Sequence, residues 1–174
     1  MKGQRNKTTM NTTVPLILSA LKERLDQNNV LLIQDVGGSL LETKLIFNPP
    51  ATEHEINQFF NEININVPND FKSFLLLHNG ARIFTEIRLF GLEDIYRLYI
   101  QHDYKSMLPE GWLPIGDDTT GYKFYIDTTN IKNDKDYPMY HSEFIGGDKK
   151  INLTFEKWLD RLCICNGTEF WYWS

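Results

Sequence analysis

At 174 residues the chain has the length of one domain, and a chain of that size buries roughly 70% of its unfolded surface, enough for a single packed core. Hydrophobic residues at 41% and charged residues at 24% lie near the globular averages, which excludes disorder of the chain as a whole. The net charge of −5 is uneven: Lys2, Arg5 and Lys7 are the only charges before residue 14, leaving 15 cations against 23 carboxylates beyond, and a body of −8 is a poor ligand for nucleic-acid phosphates.

Residues 1–13 read as a basic, disordered tail and residues 14–174 as one domain. The apolar stretch from Val14 to Leu21 is followed at once by Lys22, Glu23 and Arg24, and its apolar positions share one face. It therefore reads as an amphipathic helix over 14–28 and not as a secretory signal, with Thr12 or Thr13 as its cap and Pro15 in the first turn. Two short apolar runs, 30–33 and 44–47, predict strands around a Gly-rich turn. Pro49 and Pro50 close that region. Thr52 and Glu55 then have the spacing of a capping box, and Ile56, Phe59, Phe60 and Ile63 form the stripe of the helix behind it. Beyond Pro68, Asn69 is placed to cap a further helix with Phe71, Phe74, Leu75 and His78 on its inner side, stopped by Asn79 and Gly80. From Thr85 the period changes to alternation. Strands are expected at 86–90, 113–116, 122–126 and 138–141, with a short helix after Gly91 and a last helix from about Thr154 that buries Phe155, Trp158, Leu159 and Leu162. Helices, then strands, then one closing helix predict an α+β fold with a mostly antiparallel sheet. Neither an internal repeat nor a membrane-spanning apolar run is present.

In order and spacing these segments resemble the SUKH superfamily, which includes bacterial immunity proteins and a yeast cell-wall assembly regulator. The similarity is carried by Pro50 to Ile56, by Val67 to Leu75 with His78, Asn79 and Gly80, by Leu89 to Ile95, by Leu113 to Asp118 with Phe124 to Asp127, and by Thr154 to Leu159. It covers about residues 45–162, fits residues 1–44 loosely and does not reach Cys163 to Ser174. The resemblance implies a sheet-and-helix scaffold without catalytic residues, metal or cofactor. For bacterial members it implies binding to a cognate toxin domain, often a nuclease; the yeast relative implies, as the alternative, a regulatory adaptor for endogenous proteins. No membrane or direct nucleic-acid partner is implied, the chain is expected to be cytoplasmic, and it is expected to be a monomer or weak homodimer.

Cys163 and Cys165, two residues apart, are too close for an unstrained disulfide and too few for zinc, so they read as reduced thiols. Asp117, Asp118 and Asp127 are the one carboxylate group that could hold a cation for hydrolysis, yet no His or Glu stands at ligand spacing beside them, and they read as turn residues and surface charges. His78, on an apolar helix stripe, reads as structural. Gly146 and Gly147 lack the context of a phosphate loop and read as a turn. Between Thr85 and Asp148 there are twelve carboxylates against six cations, interleaved with tyrosines and Trp112. That mixture suits a surface covering a basic cleft, and the expected partner-binding residues are Asp117, Asp118, Tyr122, Asp127, Tyr140 and Glu143. The terminal Phe170 to Trp173 is an apolar patch to be buried on the domain or on a partner.

Overall fold

The first helix, α1 (Val14–Glu23), buries Val14, Leu18 and Leu21. The computed structural model describes residues 12–34, 37–84, 87–101, 104–129, 131, 137–143 and 147–173, so the expected tail lies outside the described residues up to position 11. Helix α1 ends earlier than its apolar stripe predicts. Asn29 takes a left-handed φ of 60°, and the Asp26 carboxylate accepts from the N–H groups of Asn28 and Val30, which turns the chain. Thr13 occupies the cap position without a side-chain bond. Instead, the Thr12 hydroxyl and the Thr13 N–H donate to Glu156 of the last helix at 2.8 and 2.5 Å, so these two threonines of the expected tail are fastened to the body.

The strand expected at 44–47 is split. Strands β1 (Val30–Gln34) and β2 (Leu40–Lys44) form a separate antiparallel hairpin, whereas β3 (Ile46–Phe47) joins the main sheet. Leu45 is the pivot: its side chain is in the core and its N–H bonds the Asn29 carbonyl at 2.9 Å. Helix α2 (Glu53–Glu62) carries both halves of the expected Thr52–Glu55 capping box. Helix α3 (Asn69–Leu77) has Pro68 at the cap position, with Asn69 as its first residue, and buries Phe71, Phe74 and Leu75 together with Asp70 and Ser73. The chain leaves the helix at His78, whose backbone is extended (φ −149°), before it reaches the expected Asn79–Gly80 stop. Gly80 has φ 98°, and a Cβ there would sit 2.9 Å from the Asn48 amide and 3.0 Å from the Gly91 nitrogen.

Seven strands then run in sequential antiparallel order: β3, β4 (Ala81–Ile83), β5 (Ile87–Leu89), β6 (Trp112–Asp117), β7 (Lys123–Asp127), β8 (Met139–Glu143) and β9 (Gly147–Ile151). Gly147 of the expected glycine turn opens β9, while Gly146 lies outside the described residues. Helix α4 (Leu92–Tyr96), a π-helical turn (Arg97–Gln101) and α5 (Tyr104–Met107) connect β5 to β6. Helix α6 (Phe155–Ile164) and a 3-10 turn (Phe170–Tyr172) end the chain. This is the α+β architecture, with helices packed around a mostly antiparallel sheet. One core joins Leu18, Phe71, Phe74, Phe155 and Trp158 of the helices to Ile83, Ile87, Leu89, Phe124, Ile126 and Met139 of the sheet. Alternate strand positions supply the other face.

The helix layer is tied together by Asp70. Its carboxylate, 5% exposed, accepts from the N–H of Phe71 at 2.9 Å and of Glu156 at 3.0 Å, and the Tyr137 hydroxyl lies 2.6 Å from both oxygens. That hydroxyl accepts from the Phe155 N–H at 2.9 Å. Thr154 makes no cap bond of its own, so a residue of α3 and a tyrosine before β8 satisfy the first amides of α6. Burial pushes the Asp70 carboxyl above its usual range even with these donors, and pushes the Tyr137 phenol well above its own.

Candidate partner-binding surface

The face of the sheet turned away from that core is set by strand register. Tyr125 lies opposite Pro114 on one side and Tyr140 on the other, and Tyr140 lies opposite Lys150. Trp112 stacks on Tyr140 with ring centroids 4.1 Å apart and approaches Tyr125 at 5.5 Å. Tyr125 and Trp112 are buried and Tyr140 is half-buried, so the centre of this face is a rigid aromatic platform with Tyr140 as its accessible member. Burial and the nearby Asp127 raise the Tyr140 phenol, so it is neutral near pH 7.

A row of charges runs beside the platform. Arg82 lies opposite Arg88, Arg88 opposite Asp117, and Asp117 opposite Lys123. Asp117 accepts from Arg88 Nε at 3.0 Å and Nη2 at 2.7 Å, with Lys123 Nζ 3.4 Å away. The paired carboxylate raises the Arg88 guanidinium further above its already high range. Arg82, Arg88, Asp117, Asp118, Thr119 and Gly121 line a cleft of about 360 Å³ at this end.

The expectation that Asp117, Asp118 and Asp127 present free negative charge is corrected here, because all three are buried and committed to internal partners. Asp118 Oδ1 accepts from the Thr120 N–H, the Thr120 hydroxyl and the Tyr122 N–H at 2.9, 2.6 and 3.0 Å, closing the β6–β7 turn. Its other oxygen lies 3.2 Å from Nε2 of the fully buried His141, whose Nδ1 is 3.1 Å from the Tyr172 hydroxyl. Asp127 Oδ1 accepts from the Thr129 N–H at 3.0 Å and hydroxyl at 2.6 Å. Short side chains that bond their own following backbone are turn formers. Asp117 is opposite Lys123 whereas Asp127 is opposite Trp112, at the other end of β6. Five residues of strand put about 16 Å between those ends, so the three carboxylates do not meet around one cation. Among the described residues no group of three or more His, Cys, Asp or Glu is arranged to hold a metal.

The remaining expected residues divide. Tyr140 is on the platform. Tyr122 is half-buried on the other side of the strands, with its ring edge-on to His141 at 6.1 Å. Glu143 ends β8, and its side chain lies outside the described residues, as do Glu86, Asp103, Asp134 and Asp136 of the acidic strand half. Of that half, Glu93, Glu110 and Asp148 are exposed. Sequence reasoning missed Arg82, Arg88 and Lys150, which give the outer face its cations; the alternation of Arg88 between Ile87 and Leu89 was the available signal. His78 is structural. Its Nδ1 lies 3.0 Å from the Asn48 carbonyl and its Nε2 2.6 Å from Lys22 Nζ. Cys163 is a buried free thiol pushed up to about 12 by burial, and Cys165 is also free. Phe170 and Trp171 of the terminal patch pack on the domain, while Trp173 stays 68% exposed.

The model of the SMI1/KNR4 family (SUKH-1) matches residues 50–161, well over half of the chain. Two uncharacterized Bacillus subtilis proteins are similar along most of their length. YnaB is 36% identical over 127 residues, spanning 72% of this chain and 85% of its own. YobM is 28% identical over 183 residues, spanning 94% of each. No helix among the described residues is long and apolar enough to cross a membrane.

Proposed function

Since the chain belongs to the SMI1/KNR4 family (SUKH-1), we propose that it is a non-catalytic immunity protein of the bacterial cytoplasm, binding a cognate polymorphic toxin domain of nuclease type and occluding it. The family match over residues 50–161 carries this reading. The contacts are assigned to the outer strand surface around Tyr140, with Tyr122 and Glu143 as further contacts from the ends of β7 and β8, and Asp117, Asp118 and Asp127 as the frame that holds strand ends and turns in place. A half-buried tyrosine stacked on Trp112 loses little rotamer freedom on binding, which is the property of interface anchors. The net charge of −5 raises the encounter rate with a cationic nuclease domain, and the platform supplies the short-range contact.

The test is co-purification with a candidate nuclease toxin domain, together with survival of cells expressing that domain. Stoichiometric protein is expected to stop nucleic-acid cleavage in vitro, and undiminished cleavage with folded protein present overturns the reading for that toxin. Tyr140→Ala is expected to weaken binding about tenfold to a hundredfold, measured by titration calorimetry on a variant with unchanged circular dichroism. An unchanged affinity removes the platform from the interface while leaving the immunity role standing.

A further inference from the structure

The β1–β2 hairpin stands apart from the seven-stranded sheet, and among the described residues neither of its outer edges is paired with another strand. On β1 the direction of each backbone group follows from its neighbours. Val30 bonds Asp26 through both groups, its N–H to the carboxylate at 2.8 Å and its carbonyl from the Asp26 N–H at 2.9 Å, while Leu45 N–H bonds Asn29 on the other side. Antiparallel ladders alternate, so Leu31 and Ile33 face β2, and the N–H and C=O groups of Leu32 and Gln34 point outward. The side chains there are apolar and accessible: Leu32, Leu40 and Leu41 are 58%, 67% and 47% exposed. Edge strands are ordinarily protected by Lys, Pro or a bulge. Strand β2 carries Glu42 and Lys44, but β1 reads Val-Leu-Leu-Ile-Gln and has no such protection.

We propose that this edge pairs with the same edge of a second copy of the chain, antiparallel about a two-fold axis through Ile33. A register centred on Leu32 would need the backbone of Val30, which Asp26 already occupies. Centring on Ile33 joins Leu32 to Gln34 of the second copy, and Gln34 to its Leu32, and uses the outward N–H and C=O groups of both residues in four N–H···O bonds. One face of the resulting four-stranded sheet then carries an unbroken apolar row, Leu41 and Ile33 followed by Ile33 and Leu41 of the second copy. The two bodies lie at opposite ends of the paired strands. A contact of three or four residues is small beside the roughly 800 Å² per partner of a standard interface, so the dimer is weak, dissociating at about tens of micromolar. It does not rest on the toxin reading.

Sedimentation equilibrium of the full chain from about 1 to about 500 µM is expected to show a monomer–dimer equilibrium. Leu32→Pro removes an outward N–H without touching the hairpin's own ladder, and Ile33→Lys puts two cations across the axis; each is expected to raise the dissociation constant at least about tenfold. In a Cys165→Ser background, Ile33→Cys is expected to give a disulfide-linked dimer under mild oxidation, since Cβ atoms across such a pair are about 4.5–5.5 Å apart. A wild-type chain monomeric throughout the range overturns the proposal. So does a dimer that persists unchanged in Ile33→Lys with wild-type circular dichroism, because another surface then makes it.

Discussion

Partial burial, with help from the Lys22 ammonium, holds the His78 imidazole below its usual 6.5, and the Asn48 carbonyl opposes that only in part. The unfolded chain therefore binds more protons than the folded one between the lowered value and 6.5, so stability rises with pH through that window and is lost as pH falls through it. Melting temperature is expected to drop between pH 7 and pH 5, and His78→Gln is expected to flatten that part of the profile relative to wild type. Equal slopes in the two proteins would refute this. Asp117 shows what a sequence leaves open about a carboxylate. With Arg88 on two of its bonds and Lys123 beside it, Asp117→Lys would leave three cations together at the end of β6. The expected effect is a loss of stability of about 1–3 kcal/mol in urea unfolding, at the lower end because the Arg88 side chain is 44% exposed. A change in association rate with unaltered stability would contradict it.

Local chemistry accounts for most of the elements. The Thr52–Glu55 box and the apolar stripes of α2, α3 and α6 are satisfied within a few residues of where they are written, so they were legible in advance. The exceptions involve partners distant in sequence. Asn69 precedes Asp70, and only the docking of α3 against α6 makes Asp70 the acceptor for the Glu156 amide, 86 residues later. Asp70→Ala is expected to destabilise by about 3–5 kcal/mol in chemical denaturation, since it strands the Tyr137 hydroxyl and the Glu156 N–H in a buried site. Asp70→Asn is expected to lose less, because its amide oxygen still accepts. Near-equal losses would show that packing and not hydrogen bonding sets the effect. The split of 44–47 between two sheets was illegible for the same reason, since both halves have equal strand character and only long-range pairing divides them.

At the scale of the molecule, the C-terminal segment closes the fold. Gly167 has φ 85°, and a Cβ there would lie 2.3 Å from Phe84 Cβ, where Phe84 itself takes a left-handed φ of 51°. That contact seats Phe170 and Trp171 on the core and brings the Tyr172 hydroxyl to His141. Deleting residues 168–174 is expected to lower stability by at least about 3 kcal/mol by thermal melting, the cost of uncovering two buried aromatics, and Gly167→Ala is expected to lower the melting temperature without any deletion. An unchanged melting temperature in the deletion would mean that the segment belongs to a partner's surface.

Periodicity, capping and turn chemistry are properties of neighbouring residues, and from them the sequence by itself determined the α+β class and the order of elements, while the resemblance of its motif blocks pointed to the family over nearly the same span (45–162 expected, 50–161 matched). Which face of a strand is solvated, which carboxylates stay free and where the accessible aromatic lies depend on register between strands and on which helix lands against which. The turn bonds of Asp118 and Asp127 reach donors two to four residues on and were legible as turns, but only the tertiary structure brought Arg88 to Asp117 and His141 to Asp118 and buried all three carboxylates. The same pairing left Tyr140 as the half-buried, accessible edge of a stacked platform.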